Sequence, residues 1–101
     1  MRFGWDPEKD KTNRLKHGVS FAEATELFTS GIDYWEIYDK QHSDEEDRFI
    51  AVGPIKRGVI VVAYTERDDE VLRIVSARMA TRKERLRLRE FERGEHERRD
   101  T

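Results

Sequence analysis

The chain has 101 residues, of which 42% are charged and 36% are hydrophobic, and its net charge at pH 7 is −2. This length suits one domain, and we expect a single domain over residues 1–94 followed by a frayed charged tail over residues 95–101. The absence of cysteine excludes a disulfide scaffold, a cysteine-ligated zinc or iron–sulfur site, and a thiol nucleophile.

The chain begins with a short predicted strand, Met1 to Trp5, and a polar helix follows it. The pair Asp6-Pro7 combines an N-cap acceptor with a proline at the first helical position, which predicts a helix from Pro7 to about His17. Leu15 is the only large apolar residue of this segment. We therefore expect the helix to lie on the surface and to be held by few contacts.

A second helix is predicted from the segment Ser20 to Glu23, which has the pattern of a capping box. In this motif the side chains of Ser20 and Glu23 each bond to the free amide of the other residue. The helix should extend to about Phe28.

Four predicted strands follow, connected by short segments that contain turn residues. Short connections favour an antiparallel meander, because consecutive strands then pair with one another. The run from Val59 to Tyr64 is continuously apolar, so its strand should be central and covered, at least in part, on both faces. The predicted strands are Tyr34–Tyr38, Arg48–Gly53, Val59–Glu66 and Val71 to about Ala77.

A last helix is predicted from a second capping box, Thr81 to Glu84. It should reach about Arg93 and end at Gly94. The complete order, β-α-α-β-β-β-β-α, indicates an α+β domain with a small antiparallel sheet, two N-terminal helices and one C-terminal helix.

Charges are unevenly distributed along the chain. Residues 78–99 contain nine lysines and arginines against five acids, whereas residues 33–47 contain seven acids and one lysine. A basic segment attracts a phosphate backbone or an acidic partner. The alternative is that these charges form only the solvated face of a helix.

Residue spacing excludes several classes of enzyme. The three histidines, His17, His42 and His96, lack the spacing of a helical zinc site, and no Gly-x-Ser-x-Gly or phosphate-binding glycine pattern is present. The acids of Asp44–Asp47 are consecutive loop residues of a kind that is usually solvated. We therefore expect no metal and no cofactor. No signal core or membrane-spanning apolar stretch is present, so we expect a cytoplasmic protein.

Several short motifs occur together in a specific order. They are Trp5-Asp6, Asn13-x-x-Lys16-His17-Gly18-x-x-Phe21, Glu46-x-Arg48, Gly53, Tyr64-Thr65-Glu66-Arg67 and Arg73-Ile74-Val75-Ser76-Ala77-Arg78-x-Ala80-x-x-x-Glu84-Arg85. In this order the chain resembles the BrnT family of toxins from about Phe3 to Arg85. The resemblance implies a RelE-like fold and a metal-independent ribonuclease that slows growth. It also implies a BrnA-like antitoxin, a two-to-two complex with it, and contact with operator DNA only through that antitoxin.

RNA cleavage without a metal needs a base near the ribose 2′-hydroxyl, cationic donors around the phosphorane and an acid for the leaving 5′-oxygen. Arginine and lysine suit the second task, because they keep their charge and donate to phosphate oxygens. Arg48 and Arg73 belong to predicted strands, and Arg78 lies where the last strand meets the last helix. The candidate catalytic residues are Arg48, Arg78, His17 and Lys16, and the candidate RNA-binding residues are Arg73, Tyr64, Arg82 and Arg85.

The candidate arginines also have a structural interpretation. Arg48 and Arg73 could form ion pairs across the sheet, and Arg78 could serve the junction of strand and helix. The possible acidic partners of Arg48 and Arg73 are Glu36, Glu46 and Glu66.

The remaining candidates have alternatives as well. Lys16 and His17 could interact with the last carbonyls of the first helix, instead of binding phosphate and moving a proton. Tyr64 could pack at the end of the sheet instead of stacking on a base. Glu84 could act only as the capping partner of Thr81.

Two classes of function therefore compete. The leading hypothesis is an RNA-cleaving toxin that pairs with an antitoxin. The alternative is a non-catalytic module that binds nucleic acid or antitoxin and acts in autorepression of its operon. Cleavage of RNA by the purified protein distinguishes the two classes.

Overall fold

The computed structural model describes residues 1–66 and 71–99, the last five by their backbone alone. Its elements follow the predicted order, except that the second predicted helix is divided in two. The first half of the chain contains β1 (Arg2–Gly4), α1 (Pro7–His17), α2 (Phe21–Ala24), α3 (Glu26–Thr29) and β2 (Trp35–Tyr38). The second half contains a 3-10 turn (Lys40–His42), β3 (Arg48–Ile55), β4 (Gly58–Glu66), β5 (Val71–Met79) and α4 (Arg82–Arg99).

The five strands form one sheet in the order β1-β5-β4-β3-β2. Strands β2 to β5 pair antiparallel, as predicted, and β4 lies at the centre. The prediction of a fully antiparallel sheet is wrong at one edge, because β1 pairs parallel with β5, with Arg2 opposite Val71. Residues so distant in sequence are not joined by a tight turn, so the local signals used for the meander do not determine the direction of β1.

The sheet has a hydrophobic cluster on each face, which explains the continuous apolar run of β4. Alternate side chains of a strand point to opposite faces. Ile60, Val62 and Tyr64 belong to the cluster that includes Phe21 and Leu27 of the N-terminal helices. The opposite face, here called the α4 face, packs against α4 through Trp35, Val52, Val61, Leu88 and Phe91.

The second predicted helix is interrupted at Thr25. Its start is capped as predicted, with the Glu23 amide donating to Ser20 Oγ at 3.0 Å. The reciprocal half of the capping box is wrong, because the Glu23 carboxylate binds the guanidinium of Arg57 at 2.7 and 2.9 Å. The Thr25 amide bonds to the carbonyls of both Phe21 and Ala22. The bond to Ala22, three residues earlier, is that of a tighter 3-10 turn, and it ends α2 before α3 begins.

Helix α1 has the predicted bounds, with Asp6 as N-cap and a left-handed Gly18 at its end. Its only large apolar residue, Leu15, is 81% exposed, whereas Asn13 is 6% exposed. The Asn13 amide donates to the carbonyls of Val19 and Ala77 and accepts from the Ala77 amide, at 2.7 to 3.1 Å. A polar side chain therefore anchors α1, by pairing with the edge of β5 beyond the point where β1 ends.

Helix α4 begins with the predicted capping box. The Thr81 amide donates to Glu84 Oε1 at 2.8 Å, and the Glu84 amide donates to Thr81 Oγ1 at 3.2 Å. The predicted end at Gly94 is wrong, since the helix continues to Arg99. A single glycine within a helix costs only about 1 kcal/mol relative to alanine, which the surrounding helix can absorb. The last residues of the predicted tail, 100 and 101, lie outside the described residues.

Glu84 also connects α4 to the sheet. Both of its carboxylate oxygens accept from Arg78 of β5, at 2.7 and 2.8 Å. These hydrogen bonds from Arg78 are the main cause that lowers the pKa of Glu84 to about 2. Across the described part of the chain, no helix is both long enough and apolar enough to cross a membrane.

Replacement of Asn13 by alanine should destabilise the protein by about 2 to 4 kcal/mol, because it leaves the buried amide and carbonyl of Ala77 and the carbonyl of Val19 without partners. Leu15→Ala on the same helix should change the free energy of unfolding by less than about 0.5 kcal/mol, because Leu15 is exposed. Urea unfolding of both variants measures the difference. A larger loss for Leu15→Ala would contradict the polar anchor.

The contact between Arg78 and Glu84 should make stability depend on pH. The pKa of Glu84 is lowered on folding, so its contribution is complete above pH 4.5 and is lost as the pH falls toward 2. Because Arg78 is 40% exposed, solvent screening reduces this contribution to about 1 to 2 kcal/mol. Glu84→Gln should therefore be less stable than the wild type at pH 7.

Urea unfolding at pH 7, 4 and 3 should show that this difference shrinks as the pH falls. The matched control is Glu90→Gln, which changes an exposed acid of the same helix. A difference that stays constant between pH 7 and pH 3 would rule out a charge interaction as its source.

Candidate functional site

Two of the candidate arginines lie in one cross-strand row of the sheet. Arg48 of β3 is opposite Thr65 of β4, and Thr65 is opposite Arg73 of β5. These three residues, here called the arginine row, are on the α4 face. Two strand spacings separate the backbones of the two arginines by about 10 Å. Two long side chains can span this distance toward a single phosphodiester.

A cleft of about 500 Å³ lies at one end of the arginine row. We call it the main cleft. Its most unusual feature is a pair of polar atoms, one of Arg48 and one of Thr65. Arg48 Nε and Thr65 Oγ1 are both buried, and neither has a hydrogen-bond partner within the described residues. Buried polar groups are normally paired, so these two donors are unusual, and the Arg48 side chain that carries one of them is 26% exposed and lines the cleft. The cleft is lined by Lys9, Gln41, His42, Asp44, Glu45, Glu46, Arg48, Thr65 and Val75.

A β-bulge shapes the floor of the main cleft. The register of β4 with β5 shifts between Ala63 and Tyr64, and Val75 is the residue passed over. Val75 and Lys9 also line a neighbouring cleft of about 340 Å³, which contains Lys16 and His17. Bulges redirect side chains and are frequent near functional sites. Lys16 and His17 therefore lie next to the main cleft and not in it.

The main cleft is mixed in charge. Lys9 and Arg48 contribute cationic groups, and Asp44, Glu45 and Glu46 contribute acids from the connection before β3. Glu46 is also engaged in a further interaction. A plain electrostatic binding surface would have one sign of charge. This mixture is instead suited to a site that both binds an anion and accepts a proton.

His42 is a functional candidate that sequence reasoning missed. Its Nδ1 lies 2.8 Å from Asp39 Oδ2, and the same oxygen lies 3.9 Å from Arg48 Nε. His42 thus shares a carboxylate with Arg48 and lines the main cleft. The spacing of Asp39 and His42, three residues apart in a turn, was the available signal.

The ion pairs expected for Arg48 and Arg73 differ from those in the structure. The acidic neighbour of Arg48 is Asp39, at the long distance of 3.9 Å, and not one of the three predicted glutamates. Arg73 is half-buried and forms no ion pair with any residue in the ranges 1–66 and 71–99. With respect to these described ranges, both guanidinium groups keep donors for an external anion.

Arg78 has a different environment from the arginine row. Its guanidinium forms two hydrogen bonds with Glu84, as described above. It is opposite Val61, four residues along β4 from Thr65, which corresponds to about 13 Å. Arg85 donates to the Ala80 carbonyl at 3.2 Å, and Arg82 is exposed. These three arginines surround the start of α4, apart from the main cleft.

Tyr64 is fully buried on the face opposite the arginine row. Its ring packs against Phe28 and Phe49, with centroids 5.1 and 5.8 Å away, and its hydroxyl donates to Glu36. Burial and the charge of Glu66 raise the pKa of Glu36. A ring enclosed in this way has no surface for a base, so the packing alternative is correct in this structure and base stacking is not.

The described residues contain no group of three or more histidine, aspartate or glutamate side chains arranged to hold a metal ion. The donors of the main cleft that suit a phosphate come from Arg48, Thr65 and Lys9.

Comparison with known proteins identifies the family. Residues 5–84 match the family described as ribonuclease toxin, BrnT, of type II toxin-antitoxin system. The fold is similar to the crystal structure of the Brucella abortus ribonuclease toxin BrnT, with a TM-score of 0.64 and 27% sequence identity over 81% of this chain and 99% of that chain. No curated protein sequence matches the chain.

The matched span includes the whole arginine row and His42, and it ends in the first turn of α4. The resemblance drawn from the motifs is thereby confirmed. Since most of the chain matches the family, and since its α+β fold is similar to that of a solved BrnT toxin, the chain belongs to the BrnT family of ribonuclease toxins of type II toxin–antitoxin systems.

Proposed function

We propose that this toxin is an endoribonuclease that cuts RNA by attack of a ribose 2′-hydroxyl on the adjacent phosphodiester, without a metal ion, and that the arginine row binds the phosphate. The observation that carries this proposal is the pair of buried, unpaired donors, Arg48 Nε and Thr65 Oγ1, in one wall of the main cleft. Family membership supports the substrate class.

The arginine row suits the charge that develops during the reaction. The phosphorane carries more negative charge on its non-bridging oxygens than the starting phosphodiester does. Fixed donors that are already removed from water stabilise this charge without reorganisation. Arg48, half-buried beside the buried Thr65, meets this condition. Arg73, from the other side of Thr65, supplies a second permanent charge.

The RNA strand is proposed to continue from the main cleft into the neighbouring cleft. Lys9 lines both clefts, and Lys16 and His17 lie beyond it. In this arrangement Lys16 binds the phosphate of a flanking nucleotide. Arg78, Arg82 and Arg85 at the start of α4 form a second cationic region that more distant phosphates can reach.

The type II class implies an antitoxin partner. We propose that this partner is BrnA-like, that it covers the main cleft in a two-to-two complex, and that it alone contacts operator DNA. Release of the toxin then slows growth in the cytoplasm through loss of RNA. The sheet with helices on both faces is proposed to be a member of the RelE-like group.

Arg48→Ala should lower kcat for RNA cleavage by about 10² to 10³-fold, the usual effect of removing one preorganised donor to a developing oxyanion. Arg73→Ala should lower kcat by about tenfold. This effect is smaller than that of Arg48→Ala, because Arg73 lies on the other side of Thr65 from Arg48. The measurement is cleavage of total RNA by antitoxin-free protein in excess chelator. The matched control is Arg57→Ala, which removes the same charge from the turn at the far end of β3 and should leave kcat within about threefold.

Each variant is checked for its fold by circular dichroism and urea unfolding. Wild-type cleavage that disappears with chelator and returns with Mg²⁺ would contradict the metal-independent reaction. RNA binding by folded wild type without any cleavage, with or without ribosomes, would favour the alternative of a non-catalytic binding module that acts in autorepression.

Arg78→Ala should lower kcat by less than about tenfold, because its guanidinium is already bonded to Glu84. The same variant should lose about as much stability as Glu84→Gln. The cleavage assay and urea unfolding measure the two effects. Complete loss of cleavage by a folded Arg78→Ala protein would transfer the phosphate-binding role from Arg48 to Arg78.

A further inference from the structure

We infer that His42 is the general base of this toxin and that Asp39 positions it. The inference rests on the proposed ribonuclease function and names the group that takes the proton from the 2′-hydroxyl. It is carried by the contact of His42 with Asp39 and by the presence of His42 and Arg48 in the same cleft.

The contact with Asp39 fixes which ring nitrogen is available. His42 Nδ1 is 2.8 Å from Asp39 Oδ2, so the carboxylate accepts the Nδ1 hydrogen and favours that tautomer. The second nitrogen, Nε2, then carries the lone pair. The His42 side chain is 59% exposed while Asp39 is 12% exposed. A substrate can therefore reach the ring, and its orienting carboxylate is shielded.

The connection that carries His42 is fastened at both ends. The Asp39 amide donates to the Arg48 carbonyl at 2.8 Å, which extends the pairing of β2 with β3. The Ser43 hydroxyl donates to the Asp39 carbonyl at 2.6 Å and accepts from the Arg48 amide at 3.0 Å. Tyr38 and Asp47 form a further bond at 2.9 Å. These bonds hold Asp39 and Ser43, which flank the turn that carries His42, against the start of β3.

One carboxylate oxygen serves both the base and the phosphate-binding arginine. Asp39 Oδ2 bonds to His42 and lies 3.9 Å from Arg48 Nε. At that distance the charge of Asp39 attracts the Arg48 guanidinium, but the Nε hydrogen is not used in a hydrogen bond. The Asp39 carboxylate therefore positions both His42 and Arg48.

The reaction balances without any additional reagent. His42 Nε2 takes the proton of the 2′-hydroxyl as the 2′-oxygen forms a bond to phosphorus. The bond from phosphorus to the 5′-oxygen breaks, and that oxygen takes a proton from water. The imidazolium returns its proton to solvent. The products are a 2′,3′-cyclic phosphate and a 5′-hydroxyl, and the phosphate oxygens are held by Arg48 and Thr65.

His17 is the competing histidine. It ends α1 and lies in the neighbouring cleft with Lys16. In the described part of the chain, no carboxylate bonds to its ring to fix its tautomer. The acids Asp44 and Glu45 also line the main cleft and are the other possible bases. Rescue by imidazole separates a histidine base from these acids, because imidazole replaces a missing imidazole ring and not a carboxylate.

The experiment measures the rate at which 2′,3′-cyclic phosphate ends appear on total RNA in excess chelator, under single-turnover conditions. His42→Ala should cleave about 10² to 10³-fold more slowly than wild type, the range for loss of a general base. Added imidazole should raise the cleavage rate of His42→Ala at least tenfold, because the place of the missing ring is open to solvent. Imidazole should not restore Arg48→Ala. Asp39→Asn should cleave at least tenfold more slowly than wild type. Imidazole should not raise its rate, since the His42 ring is still present.

Lys40→Ala is the matched control, because Lys40 is an exposed residue of the same turn. It should cleave within about twofold of wild type. His42→Gln, checked by urea unfolding, should keep the fold without restoring the rate.

Cleavage by His42→Ala within about threefold of wild type would overturn the assignment of His42 and leave the proposed ribonuclease function intact. If His17→Ala loses cleavage and imidazole restores it, while His42→Ala shows neither effect, the general base is His17 and not His42. Absence of cleavage by antitoxin-free wild type would overturn the proposed function itself, and this result is obtained before any variant is compared.

Discussion

The structure depends on the burial of β4 on both of its faces. Ile60 and Val62 fill the cluster beneath the N-terminal helices, while Val61 packs toward α4. A shift of one residue in the pairing of β4 would exchange these two sets of side chains, so the apolar packing fixes the register strongly. Thr65, five residues beyond Ile60, takes its place in the arginine row as a consequence. The alignment of the candidate site is thus determined by the core.

Incomplete cover of the α4 face provides the space for the site. Helix α4 packs near Trp35, Val52 and Val61, while the arginine row occupies the other end of the same face. There the connection before β3 forms a wall without filling the space, and Arg48 Nε and Thr65 Oγ1 stay unpaired. Each such buried group costs about 1 to 3 kcal/mol of stability. In the proposed complex with RNA, phosphate oxygens supply the missing partners.

Local signals predicted most of the fold. The start of α1 at Asp6-Pro7 and the capping box before α4 gave correct starts, because a cap is a contact within one helical turn. The errors involve residues distant in sequence. The Glu23 carboxylate binds Arg57 instead of returning to Ser20, and β1 joins β5 in parallel. Neither partner can be identified from the segment that needs it.

The candidate site was predicted only in part, for a similar reason. Arg48 and Arg73 are candidates from the sequence because a strand that carries a long cation is conspicuous, and the register places them on either side of Thr65. Thr65 itself is an ordinary strand residue, and only its burial without a partner distinguishes it. In the sequence, His42 belongs to an acidic connection of a kind that is usually solvated. Its relation to Arg48 arises from the pairing of β2 with β3, which brings Asp39 beside Arg48.

The two arginine–carboxylate contacts of the α4 face differ in the donors that they leave free. Arg78 and Glu84 form a closed pair with two short hydrogen bonds. A phosphate that approached Arg78 would first have to replace those charge-assisted bonds, so its net gain would be small. Arg48 and Asp39 form an open pair at 3.9 Å, and the Nε donor of Arg48 is unused. A phosphate there adds a bond and removes none, while Asp39 continues to hold His42. The geometry of each carboxylate, and not the charge of each arginine, is therefore the reason for proposing Arg48, and not Arg78, as the arginine that binds substrate.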